Sequence, residues 1–257
     1  MPTVVNIRFQ TRSLPPPYSY HYALELRLED QAVRARLDWT YTDRDELTEG
    51  DIEEEGFSAN DDFFWEGTLP LVWKAPLHDL LQNPRWLPET ATDDSALRVT
   101  VTDSTKETTG GSPYDHAEWE YFLQETVQAI YEAAQRERPL RLAYLAIQED
   151  GKPVELRWEA SFLHRSFTMM RVSDDQSPKQ PVPWQQLRSL LQAWYVPDYH
   201  PEKAEPSFPQ QAGDYVDPGD GHWYQLGKAA TNPGKPDAIG HLRSAVRSFG
   251  IFPERNS

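Results

Sequence analysis

The chain has 257 residues, a formal net charge of −16 and no cysteine. Without thiols, disulfide scaffolds, thiolate zinc sites and cysteine nucleophiles are excluded, which fits a reducing compartment. The amino terminus lacks a basic start followed by an apolar run, and no stretch approaches 18 apolar residues, so we expect a cytoplasmic protein with no membrane span. Direct nucleic-acid binding is not expected, because phosphate neutralisation requires clustered Lys and Arg.

The first predicted structure is a β-hairpin near the amino end. Apolar and polar residues alternate over 20–28 and again over 33–41, on either side of a short polar turn. Two such runs predict antiparallel strands with one buried face. Val5, Ile7 and Phe9 predict a third strand beside them.

A proline-rich connector separates the first two predicted strands. Residues 15–18 read Pro-Pro-Pro-Tyr, which matches the Pro-Pro-x-Tyr pattern bound by WW modules. We interpret this stretch as a rigid connector, because proline cannot donate a hydrogen bond within a strand ladder.

Residues 43–66 form an acidic segment that contains eleven carboxylates and one cation, Arg44. Three interpretations are open: a disordered solvated loop, a docking surface for a basic partner, and an intramolecular partner for the basic carboxyl-terminal helix or a cation site. An EF-hand is excluded because Thr48 stands where that loop requires glycine. The carboxylates predicted to bind a partner are Asp51, Glu53, Glu54, Glu55, Asp61 and Asp62.

Several elements are predicted after the acidic segment. The main one is a long amphipathic helix at about 113–137, whose apolar residues recur at three-and-four spacing. A second hairpin follows, with Asp150 and Gly151 at its turn. Shorter elements are strands at 68–74 and 97–102, and helices at 76–82, 183–195 and 236–249.

These elements predict an α+β fold, in which antiparallel hairpins form one or two sheets and the helix at about 113–137 packs on one face. Residues 1–195 are predicted to form a core domain with an acidic insertion at 43–62. Residues 196–257 begin rich in Pro and Gly, and are predicted to be an extended segment that ends in a basic helix.

The sequence offers weak candidates for metal chemistry. Asp198, His200 and Glu202 place three potential ligands on one face of an extended segment, but we interpret them as part of a solvated loop. Dinucleotide fingerprints and nucleophile elbows are absent from the sequence. We therefore predict no metal site and no cofactor.

The acidic segment and the missing catalytic motifs favour a non-enzymatic protein-binding module of inhibitory or assembly type, whose acidic surface loop engages a basic partner. One alternative is a hydrolase-type enzyme with a carboxylate and histidine metal site that uses His200 or His222. Another is an inhibitor that mimics nucleic acid, whose carboxylates imitate spaced phosphates. No oligomeric state is predicted.

Overall fold

The computed structural model describes residues 3–12, 14–82, 84–87, 96–103, 105–172, 178–234 and 237–249. The chain divides into two compact units, Met1–Glu137 and Arg138–Ser257. The composition places a boundary at residue 195 instead, where Pro and Gly become frequent. The two boundaries differ because residues 213–217, which follow position 195, pair as a strand with residues 143–147.

Among its described residues, the first unit contains one six-stranded antiparallel sheet and three α-helices. Its strands are β1 (Thr3–Gln10), β2 (Tyr20–Leu28), β3 (Val33–Tyr41), β4 (Phe63–Leu69), β5 (Leu97–Thr102) and β6 (Thr108–Gly111). Its helices are α1 (Glu49–Glu54), α2 (Lys74–Leu81) and α3 (His116–Ala133). The strand order across the sheet is β4-β3-β2-β1-β5-β6.

The predicted amino-terminal hairpin is confirmed. Strands β2 and β3 pair along their whole length, and β1 lies on the other side of β2 as the third predicted strand. The inward side chains of Leu24, Leu26 and Leu37 are at most 1% exposed. Burying a leucine side chain of this kind contributes about 1.5–3 kcal/mol, so the alternating pattern specifies which face of the sheet is covered.

The strand predicted at 68–74 is wrong in its position. Strand β4 already begins at Phe63, and Phe63 and Trp65 point inward while Phe64 is exposed. Pro70 follows directly, and a 3-10 turn at Leu71–Trp73 leads into α2. The strand ends there because proline has no backbone N–H to continue the ladder.

Helix α3 is 18 residues long, which is shorter at both ends than the predicted 113–137. It ends because Gln135 adopts a positive φ of 57°, a conformation common just after a helix end. Tyr131 contacts Trp39 and Phe63 of the sheet, with ring centroids 6.5 Å and 5.2 Å away. The helix thereby lies against the face of the sheet that carries the buried alternating residues.

In the described part of the second unit there are a six-stranded antiparallel sheet, two α-helices and a short two-stranded ribbon. Its strands are β7 (Leu140–Ile147), β8 (Pro153–Ser161), β9 (Ser166–Val172), β10 (Gln180–Val182), β11 (Asp198–Tyr199), β12 (Gly213–Asp217), β13 (Tyr224–Gln225) and β14 (Ala230–Thr231). Its helices are α4 (Gln185–Trp194) and α5 (Ala238–Arg247). The sheet order is β10-β9-β8-β7-β12-β13, and β11 pairs with β14 in the ribbon.

The second predicted hairpin is confirmed as β7 and β8, with Asp150 and Gly151 at its turn. Trp158 of β8 meets Trp194 of α4 edge to face, with ring centroids 5.6 Å apart. Both rings are buried. Aromatic pairs in this geometry add about 0.5–1.5 kcal/mol beyond the area that they bury, so they help to hold α4 on the sheet.

Within the described ranges, no helix combines the length and the apolar composition that a membrane span requires.

Candidate protein-binding surface

The acidic segment, residues 43–66, connects β3 to β4, two neighbouring strands of the first sheet. Its middle folds into α1, which begins at a capping box. The Thr48 side chain accepts a hydrogen bond from the Asp51 backbone N–H, and the Asp51 carboxylate accepts one from the Thr48 backbone N–H. Ile52 is buried beneath the helix. The interpretation as a disordered loop therefore does not describe this stretch, because local capping and one apolar anchor order it.

Arg44, the one cation of the acidic segment, organises the rest of it by hydrogen bonds. Its Nε and Nη2 atoms donate to the carbonyl oxygen of Pro17, at 3.1 Å and 3.0 Å. Nη1 donates to the Ser58 carbonyl oxygen and to Asp61 Oδ2, each at 3.0 Å. Arg44 thus joins both ends of the segment to the proline-rich connector, using the planar fork of donors that only arginine presents.

The same guanidinium also lies on aromatic rings. Its central carbon is 3.9 Å from the centroid of Tyr41 and 4.9 Å from that of Phe57. The Arg44 side chain is only 10% exposed. A charge this buried needs both its hydrogen bonds and the negative faces of the rings to offset the loss of water.

The proline-rich connector takes part in this arrangement as well. The Tyr18 hydroxyl donates to the Glu55 carboxylate, and the Tyr18 ring meets Phe57 edge to face at 5.5 Å. The interpretation of 15–18 as a rigid connector agrees with these contacts, which tie the stretch before β2 to the acidic segment.

Four of the six carboxylates predicted to bind a partner have internal roles. Asp51 closes the capping box, and Glu55 accepts from Tyr18. Asp62 accepts a 2.9 Å hydrogen bond from the Tyr41 backbone N–H. Asp61 accepts from the backbone N–H and hydroxyl of Ser58, at 2.8 Å and 2.6 Å, in addition to Arg44.

These bonds lower the pKa of two of the carboxylates. Partial burial alone would raise the pKa of Asp61, but the hydrogen bonds from Ser58 and Arg44 outweigh it and hold the pKa below its ordinary value. Hydrogen bonds from the Thr48 hydroxyl and backbone lower the pKa of Asp51. Both groups are therefore carboxylates at neutral pH and serve as acceptors within the segment.

The other two predicted residues, Glu53 and Glu54, are exposed. Glu49, Asp45 and Glu46 are exposed too, and within the described part of the chain none of these five side chains has a hydrogen-bonding or ion-pair partner. Glu53 and Glu54 stand in the last turn of α1, where the helix dipole disfavours acids, and Glu53 is four residues after Glu49. Local stability does not account for charges in these positions.

One open interpretation of the acidic segment is an intramolecular partner for the basic carboxyl-terminal helix. In α5, Arg243 Nε lies 2.9 Å from Asp214 Oδ2, a buried carboxylate of the same unit. At least one cation of that helix therefore has a partner within its own unit.

The weak metal candidates lie around the two-stranded ribbon. His200 Nδ1 is 3.7 Å from Glu202 Oε1, and His200 Nε2 is 3.0 Å from the Thr231 hydroxyl. Asp198 is exposed. Across the described ranges, no three His, Asp or Glu side chains are grouped so that they could hold a metal ion.

The fold and this surface define a two-unit α+β protein that presents an acidic segment of fixed shape. Neither the protein-family models, nor the curated proteins, nor the solved structures compared with the chain match it.

Proposed function

We propose that the protein is a non-enzymatic protein-binding module of inhibitory or assembly type, which engages a basic partner through the acidic segment. The single observation that supports the proposal is that the carboxylates of the acidic segment fall into two groups. Internal bonds order the segment, and five exposed carboxylates are left without partners among the described residues. A surface ordered before binding has less conformational entropy to lose on association.

The negative charge of this surface is suited to steering a basic partner towards it. Like charges held close together create a local potential that attracts an oppositely charged partner and accelerates its encounter. The proposal places the protein in the cytoplasm, which the absence of cysteine supports.

The experiment compares the wild-type protein with a variant that carries Glu49→Gln, Glu53→Gln and Glu54→Gln. These changes remove three exposed charges and none of the internal bonds described above. The matched control removes three exposed charges from turns elsewhere in the chain: Asp30→Asn, Glu107→Gln and Glu149→Gln. Each protein serves as bait for partners at low salt, and the affinity of the captured partner is then measured over a range of salt concentrations.

We expect the wild type and the control to retain the partner, and the α1 variant to bind at least ten-fold more weakly with a shallower salt dependence. Equal affinity of the α1 variant and the control in low salt would contradict the proposal.

Nucleic-acid mimicry is the second candidate, and one observation favours it. Mimicry requires acids spread over a folded surface, and α1 gives the segment such a surface. In this case the captured partner would bind duplex DNA, and increasing concentrations of the wild-type protein would displace the duplex. A partner that binds the duplex and the protein simultaneously would exclude mimicry and leave the protein-binding proposal standing.

A further inference from the structure

The outer edge of strand β4 is a feature of the first unit that the proposed function leaves unused. β4 is the outermost strand of its six-stranded sheet, and within the described ranges β3 is the one strand that pairs with it. Alternate backbone N–H and C=O groups of an edge strand point away from the sheet, where they form a template for another strand. β4 presents such a template over seven residues.

The other three edges of the two six-stranded sheets are protected by features that β4 lacks. Strand β6 is four residues long, and half of it is glycine. Strand β10 is three residues long and contains Pro181, and β13 is two residues long. Short edge strands and edge prolines are common protection against pairing with another chain. β4 is longer, contains neither Pro nor Lys, and pairs with β3 in an unbroken register from Phe63 to Leu69.

One residue of β4, Gly67, would by itself weaken the edge, because glycine has no side chain to pack. The ring of Trp65 compensates for this. It lies over Gly67, in the space that a side chain at that position would occupy. An aromatic ring that covers an edge glycine stabilises the extended backbone. β4 thereby keeps the regular form that strand pairing requires.

The aromatic side chains of β4 leave room for a further strand. The inward rings of Phe63 and Trp65 are only half-buried, whereas Leu24 and Leu37 on the inward face of β2 and β3 are at most 1% exposed. On the outward face, Phe64 is 56% exposed. A strand added at this edge would cover part of these three rings, so its association would bury apolar surface.

The edge of β4 is continuous with the acidic segment. Residues 63–66 are both the last four of that segment and the first four of β4. The five exposed carboxylates without described partners lie in the connection that leads into the strand. A chain that pairs here meets their negative potential, which favours cations in that chain. A second copy of the protein would instead bring its own acidic segment and a further net charge of −16. Charge complementarity therefore favours a different, basic chain.

We propose that the basic partner contributes an extended segment that pairs with the outer edge of β4 as an additional strand, with its cations against the exposed carboxylates of the acidic segment. The inference rests on the proposed function and names the form in which the partner binds. In this mode main-chain hydrogen bonds give affinity, and the side chains that alternate along the added strand give specificity.

The test uses a synthetic peptide and needs no identified partner. The probe, Val-Thr-Val-Thr-Val-Thr-Val-Lys-Lys-Lys-Lys, is titrated into the whole protein, and hydrogen exchange of each backbone amide is followed by NMR. In the free protein, the β4 amides that point to β3 should exchange slowly and the alternate ones quickly. We expect the probe to slow the fast set at least ten-fold and to leave β6 unchanged. Unchanged exchange of the fast set at saturating probe would overturn the inference.

Two methylated probes test for main-chain pairing without any change to the protein. Alternate N–H groups of an extended strand point to opposite edges, so methyl groups on the valine nitrogens and on the threonine nitrogens block opposite edges of the probe. One methylated probe should bind at least ten-fold more weakly than the parent peptide, and the other should bind like it. Equal affinities of the two methylated probes would overturn the inference, because strand pairing uses one edge of the peptide.

Two matched variants separate the β4 edge from a general effect of charge. Glu66→Lys places a cation on β4, where it repels the lysines of the probe, and should weaken binding at least five-fold. Glu107→Lys makes the same change of charge at an exposed position directly before β6, and should leave binding unchanged. Equal weakening by the two folded variants would assign the effect to net charge and overturn the site at β4.

Failure of this inference is distinguishable from failure of the proposed function. If partner binding depends on Glu49, Glu53 and Glu54 but neither the probe nor the partner protects the β4 amides, the strand pairing alone is wrong. If the probe protects these amides but the partner ignores the three carboxylates, the proposed function alone is wrong. Protection of β4 that rises with the concentration of the protein alone would identify a second copy as the occupant and overturn the assignment to a basic partner.

Discussion

Arg44 Nη1 lies 3.0 Å from Asp61 Oδ2, and this ion pair closes the acidic segment on itself. The two residues are 17 positions apart, on opposite sides of helix α1. One buried cation therefore controls the shape in which the exposed carboxylates are presented.

Replacing Arg44 should loosen the acidic segment and destabilise the first unit. Arg44→Ala removes the guanidinium from three acceptor groups and two rings, and we expect the free energy of unfolding to fall by about 2–3 kcal/mol in urea titrations. Arg44→Lys keeps the charge but not the fork of donors, so it should recover less than half of the loss. Both variants should be cut faster within 43–62 by a Glu-specific protease, which does not cleave after Arg or Lys. Unchanged cleavage would show that Arg44 does not order the segment.

The capping residue of α1 and its exposed acids should have opposite effects on stability. Thr48→Ala removes the side-chain cap and should cost about 1 kcal/mol. Glu53→Gln should be neutral or stabilising by a few tenths of a kcal/mol, because it removes an acid from the last turn of the helix. Urea denaturation of the two single variants checks both. A loss above about 1 kcal/mol for Glu53→Gln would assign this residue a structural role.

The acidic segment should stabilise the protein at neutral pH and lose part of that stabilisation in acid. The pKa of Asp61 is lower in the folded state than in the unfolded chain, so its contribution is fully present above the unfolded value of about 3.8. It is lost as the pH falls from that value through the folded pKa. Unfolding free energies measured from pH 6 down to pH 2 should fall less steeply for Asp61→Asn than for the wild type. Parallel curves would contradict this assignment.

The stability of the protein at alkaline pH should depend on Tyr131. Burial, with a smaller contribution from Tyr41, raises the pKa of Tyr131 to about 12 from an ordinary value of 10.0. The unfolded chain ionises first, so this residue makes the protein lose stability as the pH rises from about 10 to 12. Tyr131→Phe keeps the ring and should flatten that decline, as measured by unfolding at each pH.

The outer face of the first sheet contains an unfavourable pair. Arg8 and Arg98 stand directly opposite each other on β1 and β5, and both are exposed. Arg98→Glu converts repulsion into attraction and should stabilise the protein by about 0.2–1 kcal/mol, less at high salt. Thr100→Glu is the control, because it faces the neutral Asn6. Equal effects of the two changes would mean that the pairing is irrelevant.

Much of the structure of the first unit could be predicted from the sequence, because it follows from patterns among residues that are close together in the chain. Alternation over two residues specifies the inward face of β2 and β3, and that face is the buried one. The boundary between the two units could not be predicted in this way. It depends on β12 pairing with β7, and the two strands are about 70 residues apart in the sequence.

The same distinction between local patterns and contacts between distant residues applies to the acidic segment. The sequence by itself determined the charge of the segment. The capping box is also local, since Thr48 and Asp51 are three residues apart, but no helix is predicted at 49–54 from the sequence. Only the tertiary structure decided that Glu55 and Asp62 are occupied as well, because their donors, Tyr18 and Tyr41, lie outside the segment. The stacked rings of Phe9, Tyr22 and Trp39 have a similar origin, since strand register places them side by side on β1, β2 and β3. Composition counts charges, whereas hydrogen bonds between distant residues determine which of them remain free.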